Sequence, residues 1–197
     1  MIHPDTELRH VNENIGYGVF ATKPIPKGTI TWVRDNLDQE FVTAEIERME
    51  SPYRQILETY TFIDARGRSI LCWDHARFVN HSCDANCLGA GYDFEIAIRD
   101  LNAGEALTDD YGTLNLRTPF HCACHSARCR GQITPKDVEL LSPDWDAVVR
   151  PAFLLIPQVA QPLWGLVEEK AAVEQALKHP EQIRSVLANY FLPVRGS

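Results

Sequence analysis

From Leu8 onward, apolar and polar residues alternate loosely in short runs, and turn-forming residues break each run after a few positions. The first run arrives at Gly16-Tyr17-Gly18, where two glycines around an aromatic residue let the backbone take a positive φ or come close to a ligand. Taken alone, an ordinary turn between strands accounts for these glycines. Residues 23–28 predict a turn, and the β-branched and aromatic residues 29–33 predict a strand. Residues 43–50 predict a short helix with Thr43 as N-cap, Ile46 and Met49 on one face, and Pro52 as its end. Residues 60–64 and 69–73 predict strands pairing as a hairpin around Arg66-Gly67. A strand over 94–99, a turn at 102–105 and a return over 106–112 complete a mostly β pattern with no βαβ rhythm.

Beyond Gln132 the alternation ends. Residues 166–178 and 181–192 predict helices. In the second, Ile183, Val186, Leu187, Tyr190 and Phe191 share one face, as in an amphipathic helix docked on the β domain.

Composition narrows the class. The 197 residues are 45% hydrophobic and 23% charged, enough for one core without disulfides, with room for an appendage. The most apolar stretch, residues 152–163, is short and interrupted by Pro157 and Pro162, so no membrane partner is expected. The start of the sequence lacks a signal-peptide pattern, which predicts an intracellular protein with reduced cysteines. The net charge of -8 argues against direct nucleic-acid binding and is compatible with a basic substrate. No basic nuclear-localisation run is present, which points to the cytoplasm, or to the nucleus in a eukaryote.

Candidate chemistry concentrates in two places. Residues 76–87 carry Asn80, His81, Ser82, Cys83, Asp84, Asn86 and Cys87. Side chains such as Ser82, Asp84 and Asn86 compete for backbone hydrogen bonds and favour turns, and turns between strands are good places to build a site. Further on, Cys122-x-Cys124-x4-Cys129 offers three thiolates in one small loop. Structural zinc takes four ligands. Candidates for the fourth are His121, His125, Cys72, Cys83 and Cys87, and Cys83 would staple the two cysteine-bearing turns together.

Four motifs, in order, resemble those of the SET-domain lysine methyltransferases. Gly16-Tyr17-Gly18 is similar to the family's N-terminal glycine motif, and residues 77–86 to its Asn-His-Ser-Cys signature. Residues 104–111 are similar to its Gly-Glu-Glu-Leu-Thr-x-Asp-Tyr signature, and Cys122-x-Cys124-x4-Cys129 to its post-SET zinc motif. The resemblance covers roughly residues 8–133. It implies a mostly β fold with α: small twisted sheets threaded as a pseudoknot, a zinc loop, then a helical segment. The expected division is a SET domain at 1–117, a post-SET motif at 118–133 and a helical extension at 134–197.

The resemblance also implies S-adenosylmethionine as methyl donor and a protein lysine, such as one on a basic tail, as acceptor. By position, Gly16, Tyr17, Gly18, Asn80 and His81 would bind the donor, with Tyr111 beside the methyl and Tyr60 lining the lysine channel. Cys83, Cys122, Cys124 and Cys129 would hold zinc. Three residues depart from the pattern. Ala85 replaces a proline, Ala106 a glutamate at the surface, and Asp109 an aromatic residue that governs how many methyls fit. The cysteine-rich segment preceding the domain in some histone enzymes is absent, so a histone substrate does not follow.

Methyl transfer from a sulfonium to an amine is an in-line displacement, so rate comes from holding the partners close, aligned and dry. Lysine must react neutral although its reference pKa is about 10.4. Desolvation and the nearby sulfonium lower that value, so no obligate general base is expected, a reading that a pH–rate profile tracking one mutable carboxylate would refute. The competing readings are an inactive zinc-stapled module that binds a lysine tail, and a Cys83 nucleophile activated by His81, which the expected metal duty of Cys83 disfavours.

Overall fold

The computed structural model describes residues 1–191. In chain order the strands and helices are β1 (Thr6–Asn12), β2 (Gly16–Ala21), β3 (Ile30–Val33), β4 (Gln39–Phe41), α1 (Thr43–Arg48) and α2 (Ser51–Tyr60). Then come β5 (Thr61–Ile63), β6 (Ser69–Leu71), β7 (Asn80–His81), β8 (Cys87–Tyr92), β9 (Phe94–Ala97) and β10 (Thr108–Asp109). The last are β11 (Phe120–His121), β12 (Gln132–Ile133), α3 (Asp137–Phe153) and α4 (Lys170–Lys178). Short strands make five small sheets: β1-β2, β3-β9-β8, β4-β6-β5, β10-β7 and β11-β12.

The expected hairpin forms between β5 and β6, with Thr61 opposite Leu71 and Ile63 opposite Ser69. Its turn is locked by Asp64, whose Oδ1 accepts from the backbone N–H of Arg66 and of Arg68, each at 2.9 Å. The β7-β10 pair is parallel, Asn80 beside Thr108 and His81 beside Asp109, with the β8-β9 hairpin between them in the chain. Asn86 seals this junction. Its Oδ1 accepts from Thr108 N at 2.8 Å, and its Nδ2 donates to Ala106 O at 2.8 Å.

Several expected elements differ. Val42, not Thr43, caps α1, and its N–H is satisfied by Glu45 Oε2 at 3.0 Å. Pro52 does not merely end that helix: it sits in the first turn of α2, where its missing N–H costs nothing. Tyr60 therefore closes a helix instead of opening a strand.

The C-terminal third differs most. The 17-residue α3 falls within the helical extension expected at 134–197, although no helix was delimited over its residues, and it carries Pro143 and Pro151 inside it. Its buried face nevertheless runs at three- and four-residue steps through Val138, Ser142, Trp145, Val149, Ala152 and Phe153. Of the helix expected at 166–178, only α4 forms, after a 3-10 turn at Trp164–Leu166. The helix expected over 181–192 is absent among the described residues, and Leu192 lies outside them. In its place are 3-10 turns at Pro180–Gln182 and Val186–Asn189. The backbone donors there are spent elsewhere: Val186 N on Asp146 Oδ1 and Phe191 N on Asn115 Oδ1, both at 2.8 Å. Ile183 and Val186 are buried all the same, so this segment does dock on the β domain.

Two apolar clusters hold the molecule. In the larger, Leu88, Phe94 and Ile96 of the central sheet meet Trp145, Val149 and Phe153 of α3. The rings of Tyr92, Phe94 and Phe153 stack at centroid distances of 5.5 to 6.4 Å. The smaller cluster gathers Val19, Ala21, Trp32, Leu101 and Leu107 beneath the first hairpin. At Gly91 (φ +76°) a Cβ would lie 2.6 Å from Ser185 O, so the C-terminal segment lands where β8 carries no side chain. Among the described residues, no helix is long and apolar enough to cross a membrane.

Candidate active site and thiol cluster

Residues 78–81 form a partition with chemistry on both sides. On one side is a groove of about 810 Å³ whose walls include Tyr60, Phe62, Val79, Tyr111 and Phe120. Tyr111 is fixed at both ends: its N–H donates to His81 Nδ1 at 3.1 Å, and its hydroxyl donates to Val79 O at 2.7 Å. Its ring lies 5.4 Å from His81 and 6.1 Å from Phe120. Burial, reinforced by Asp109 and Glu95, pushes the phenol well above its ordinary pKa, so Tyr111 stays protonated at neutral pH. Tyr60 reaches the groove from the end of α2 and packs edge-on against Phe78 at 5.3 Å.

On the other side stand Gly16, Tyr17 and Gly18, and none of the three lines that groove. Asn80 Nδ2 donates to Tyr17 O at 2.8 Å, joining the glycine motif to β7. A Cβ on Gly18 would lie 3.0 Å from Asn80 Nδ2 and 3.1 Å from Val11 Cγ2, so only glycine allows this approach. Phe78 touches both sides, with Tyr17 at 6.0 Å and Tyr60 at 5.3 Å. The structure thus brings the glycine motif, Asn80, His81, Tyr60 and Tyr111 around one short segment.

The thiols gather as well. One donor atom from each of His81, Cys83, Cys122 and Cys124 lies within 4.8 Å of the others. Cys122 Sγ is 3.7 Å from both Cys83 Sγ and Cys129 Sγ. Tetrahedral zinc with Zn–S bonds of about 2.3 Å spaces its sulfurs about 3.8 Å apart, so the donor set and spacing fit that metal. His81 Nδ1 is an acceptor, which leaves the ring proton on Nε2, 3.3 Å from Cys83 Sγ. Burial opposes ionisation of Cys124, yet hydrogen bonds from the Ser126 hydroxyl and the Cys83 backbone bring its thiol down to about 6.

The other candidates fall away. Cys72 and Cys87 are buried in the smaller core, which raises both thiols far above their usual range. His121 and His125 are exposed. The Cys83 thiol is itself raised, first by burial, which does not suit an activated nucleophile. Ala106, expected at the surface, is half-buried and bridges to Phe20.

One group of residues had no role in the sequence reading. Arg130 holds Asp110 through two hydrogen bonds of 2.7 Å and forms an ion pair with Asp137 at 3.2 Å. Trp145 Nε1 donates to Asp110 Oδ2 at 3.3 Å, and Arg130 N donates to Cys83 Sγ at 3.4 Å. This cluster links the catalytic signature, the thiol loop and α3. The available signal was an acidic residue just before Tyr111 and a basic one just after Cys129.

Residues 16–112 match the SET domain, and through this stretch the chain belongs to the SET-domain family. It is 31% identical over 131 residues to histone-lysine N-methyltransferase SETD1B of Homo sapiens, a match covering 59% of this chain and 6% of that protein. Over 159 residues it is 34% identical to histone-lysine N-methyltransferase ASHR3 of Arabidopsis thaliana, covering 72% of this chain and 31% of the relative. A third relative, histone-lysine N-methyltransferase set1 of Dictyostelium discoideum, is 34% identical over 105 residues, or 50% of this chain and 7% of that one. The chain therefore spans less than a third of the length of these relatives. Their names support a lysine methyltransferase family.

Proposed function

We propose that the chain transfers methyl groups from S-adenosylmethionine to the side-chain amine of a protein lysine. The observation that carries this reading is Tyr111, whose hydroxyl is held on the Val79 carbonyl inside an aromatic groove. When bound, S-adenosylmethionine supplies an electrophilic methyl on a sulfonium. The chain's own residues do the rest. Gly18 leaves room beside Asn80, and the backbone of Gly16 to Gly18, the Asn80 side chain and the His81 backbone bind the donor's methionine end. Tyr60, Phe62 and Phe120 exclude water and attract the lysine cation by their ring faces. Tyr111 orients the amine as it reaches the partition.

Zinc is held by Cys83, Cys122, Cys124 and Cys129. The Nε2–H of His81 makes it a hydrogen-bond donor to the Cys83 sulfur and not a fourth ligand. The substrate is a protein with an accessible lysine in a basic segment. The relatives' names favour a histone as one such protein, and with it a nuclear site of action in place of the cytoplasmic one.

The test is incubation with labelled S-adenosylmethionine and a panel of basic proteins that includes histones. Label should appear on lysine, and Tyr111→Phe should lower the rate by about 10², the usual cost of losing one preorganised hydrogen-bonding group. Zinc and substrate binding with no transfer would favour the inactive module instead.

A further inference from the structure

Asp109 is only 2% exposed, yet one of its carboxylate oxygens is without a partner. Its Oδ1 accepts from Asp110 N at 2.7 Å, while Oδ2 has no hydrogen-bond partner among the described residues. Buried carboxylates are normally satisfied, and one left bare is unfavourable unless something else completes it. Asp109 also lines the groove that contains Tyr60 and Tyr111, and Glu95 lines the same groove. Glu95 arrives there by strand alternation: along β9, Phe94 and Ile96 are buried in the core and Glu95 takes the opposite face.

Three arginines line the groove: Arg54 is exposed on α2, and the other two are engaged elsewhere. Arg77 donates to Cys72 O at 3.3 Å, and Arg117 donates to Thr43 Oγ1 at 2.8 Å. Glu95 and Asp110 act on the Asp109 carboxyl, and the N-terminal amine acts on Glu95; the two carboxyls in turn act on Tyr111 and on Cys87 of β8, and Glu95 also on Cys72 after β6. The N-terminal amine that acts on Glu95 is already paired with Asp35 at 2.7 Å.

We infer that Asp109, together with Glu95, is the seat for the substrate's ammonium group and the acceptor of the proton that group must lose before it can attack. The inference rests on the methyl-transfer reading above for the identity of the substrate, but not for the presence of a cation seat. The step balances. An N–H bond of the ammonium breaks with its electron pair left on nitrogen, and a carboxylate oxygen gains the O–H bond; the neutral amine would then form the N–C bond as the sulfonium S–C bond breaks, its electron pair leaving with a neutral thioether. The proton leaves to water at the groove's mouth. Geometry and electrostatics agree, since burial raises both carboxyls, Glu95 to about 7, and repulsion from Glu95 and Asp110 adds to burial in holding Asp109 well above its usual range. Asp109 Oδ2, which has no hydrogen-bond partner among the described residues, is the oxygen open to accept. Asp109 is thus a departure from the expected base-free mechanism.

Two measurements decide the matter, both on the full zinc-loaded chain. In the first, the side-chain carboxyls are labelled with carbon-13, the Asp109 signal is assigned through Asp109→Asn, and n-butylammonium is the probe. The Asp109 or Glu95 signal should move on addition of the amine, and butanol at equal concentration should leave both in place. Signals that ignore the amine overturn the seat. In the second, transfer to a basic protein is followed against pH. Asp109→Asn should lower the rate at pH 7 at least tenfold and push the rising limb towards the free amine's own pKa of about 10.4. Activity at high pH should recover in part, which a merely structural defect would not produce. A variant with the wild-type profile overturns the proton-acceptor role. Glu95→Gln provides the same readouts if Asp109→Asn does not fold. If wild type transfers no methyl to any protein, the functional reading fails, and the amine titration still decides the seat.

Discussion

Between Asn80 and Gly131 the chain is fastened by side chains that reach for backbone and sulfur, whereas from Asp137 to Val186 it is fastened mainly by apolar surface. In the first region Asn80, His81, Asn86, Tyr111 and Arg130 each join segments distant in sequence through directed bonds. In the second, Val138, Trp145, Val149, Phe153, Val173 and Ile183 share one core with the central sheet. Directed bonds fix the positions of the atoms proposed above to meet a donor, an amine and a metal. Packing fixes the plate on which those bonds are mounted. The two regions should therefore respond differently when damaged.

The largest effect is expected from the thiol cluster. Replacing Cys122 by Ser, or stripping zinc with a chelator, removes metal binding that also acts as folding free energy, on the order of several kcal/mol. Metal analysis should give one zinc per chain before treatment, and calorimetry should show the main transition lowered or split afterwards. Next comes Phe153→Ala in the packed plate, which should cost about 3–5 kcal/mol in denaturant unfolding. Zinc stoichiometry should survive that substitution, because Phe153 touches the sheet and not the sulfurs. If both changes produced the same loss of zinc, the distinction between the regions would collapse. The smallest effect is expected at the Arg184–Glu169 pair, 39% and 40% exposed, where Glu169→Gln should change stability by less than about 1 kcal/mol.

The same contrast explains what could be read in advance. Gly16-Tyr17-Gly18, residues 77–86, residues 104–111 and the cysteine loop are contiguous strings, so the fold class was legible from them, as were the residues proposed for the site. The C-terminal third follows no motif, and its local signals conflict. No helix was delimited over α3 itself, where Pro143 and Pro151 lack donors and a buried face at helical spacing compensates only once the sheet is there to cover it. The pattern at Ile183, Val186 and Leu187 suggested a helix, but Asp146 and Asn115 capture the backbone donors, and no local rule anticipates partners 40 and 76 residues away. Asp109 was noticed as a departure, while its neighbour Glu95 was not, because only the pleat of β9 sends that side chain into the groove.

The core shared by sheet and C-terminal third has a consequence for how the protein is made. On a ribosome, β3, β8 and β9 emerge well before α3, leaving Leu88, Phe94 and Ile96 bare while some fifty more residues are synthesised. The motif-bearing part cannot settle until Phe153 and Val186 arrive, so the newborn chain passes through an interval in which a chaperone would find an open apolar face.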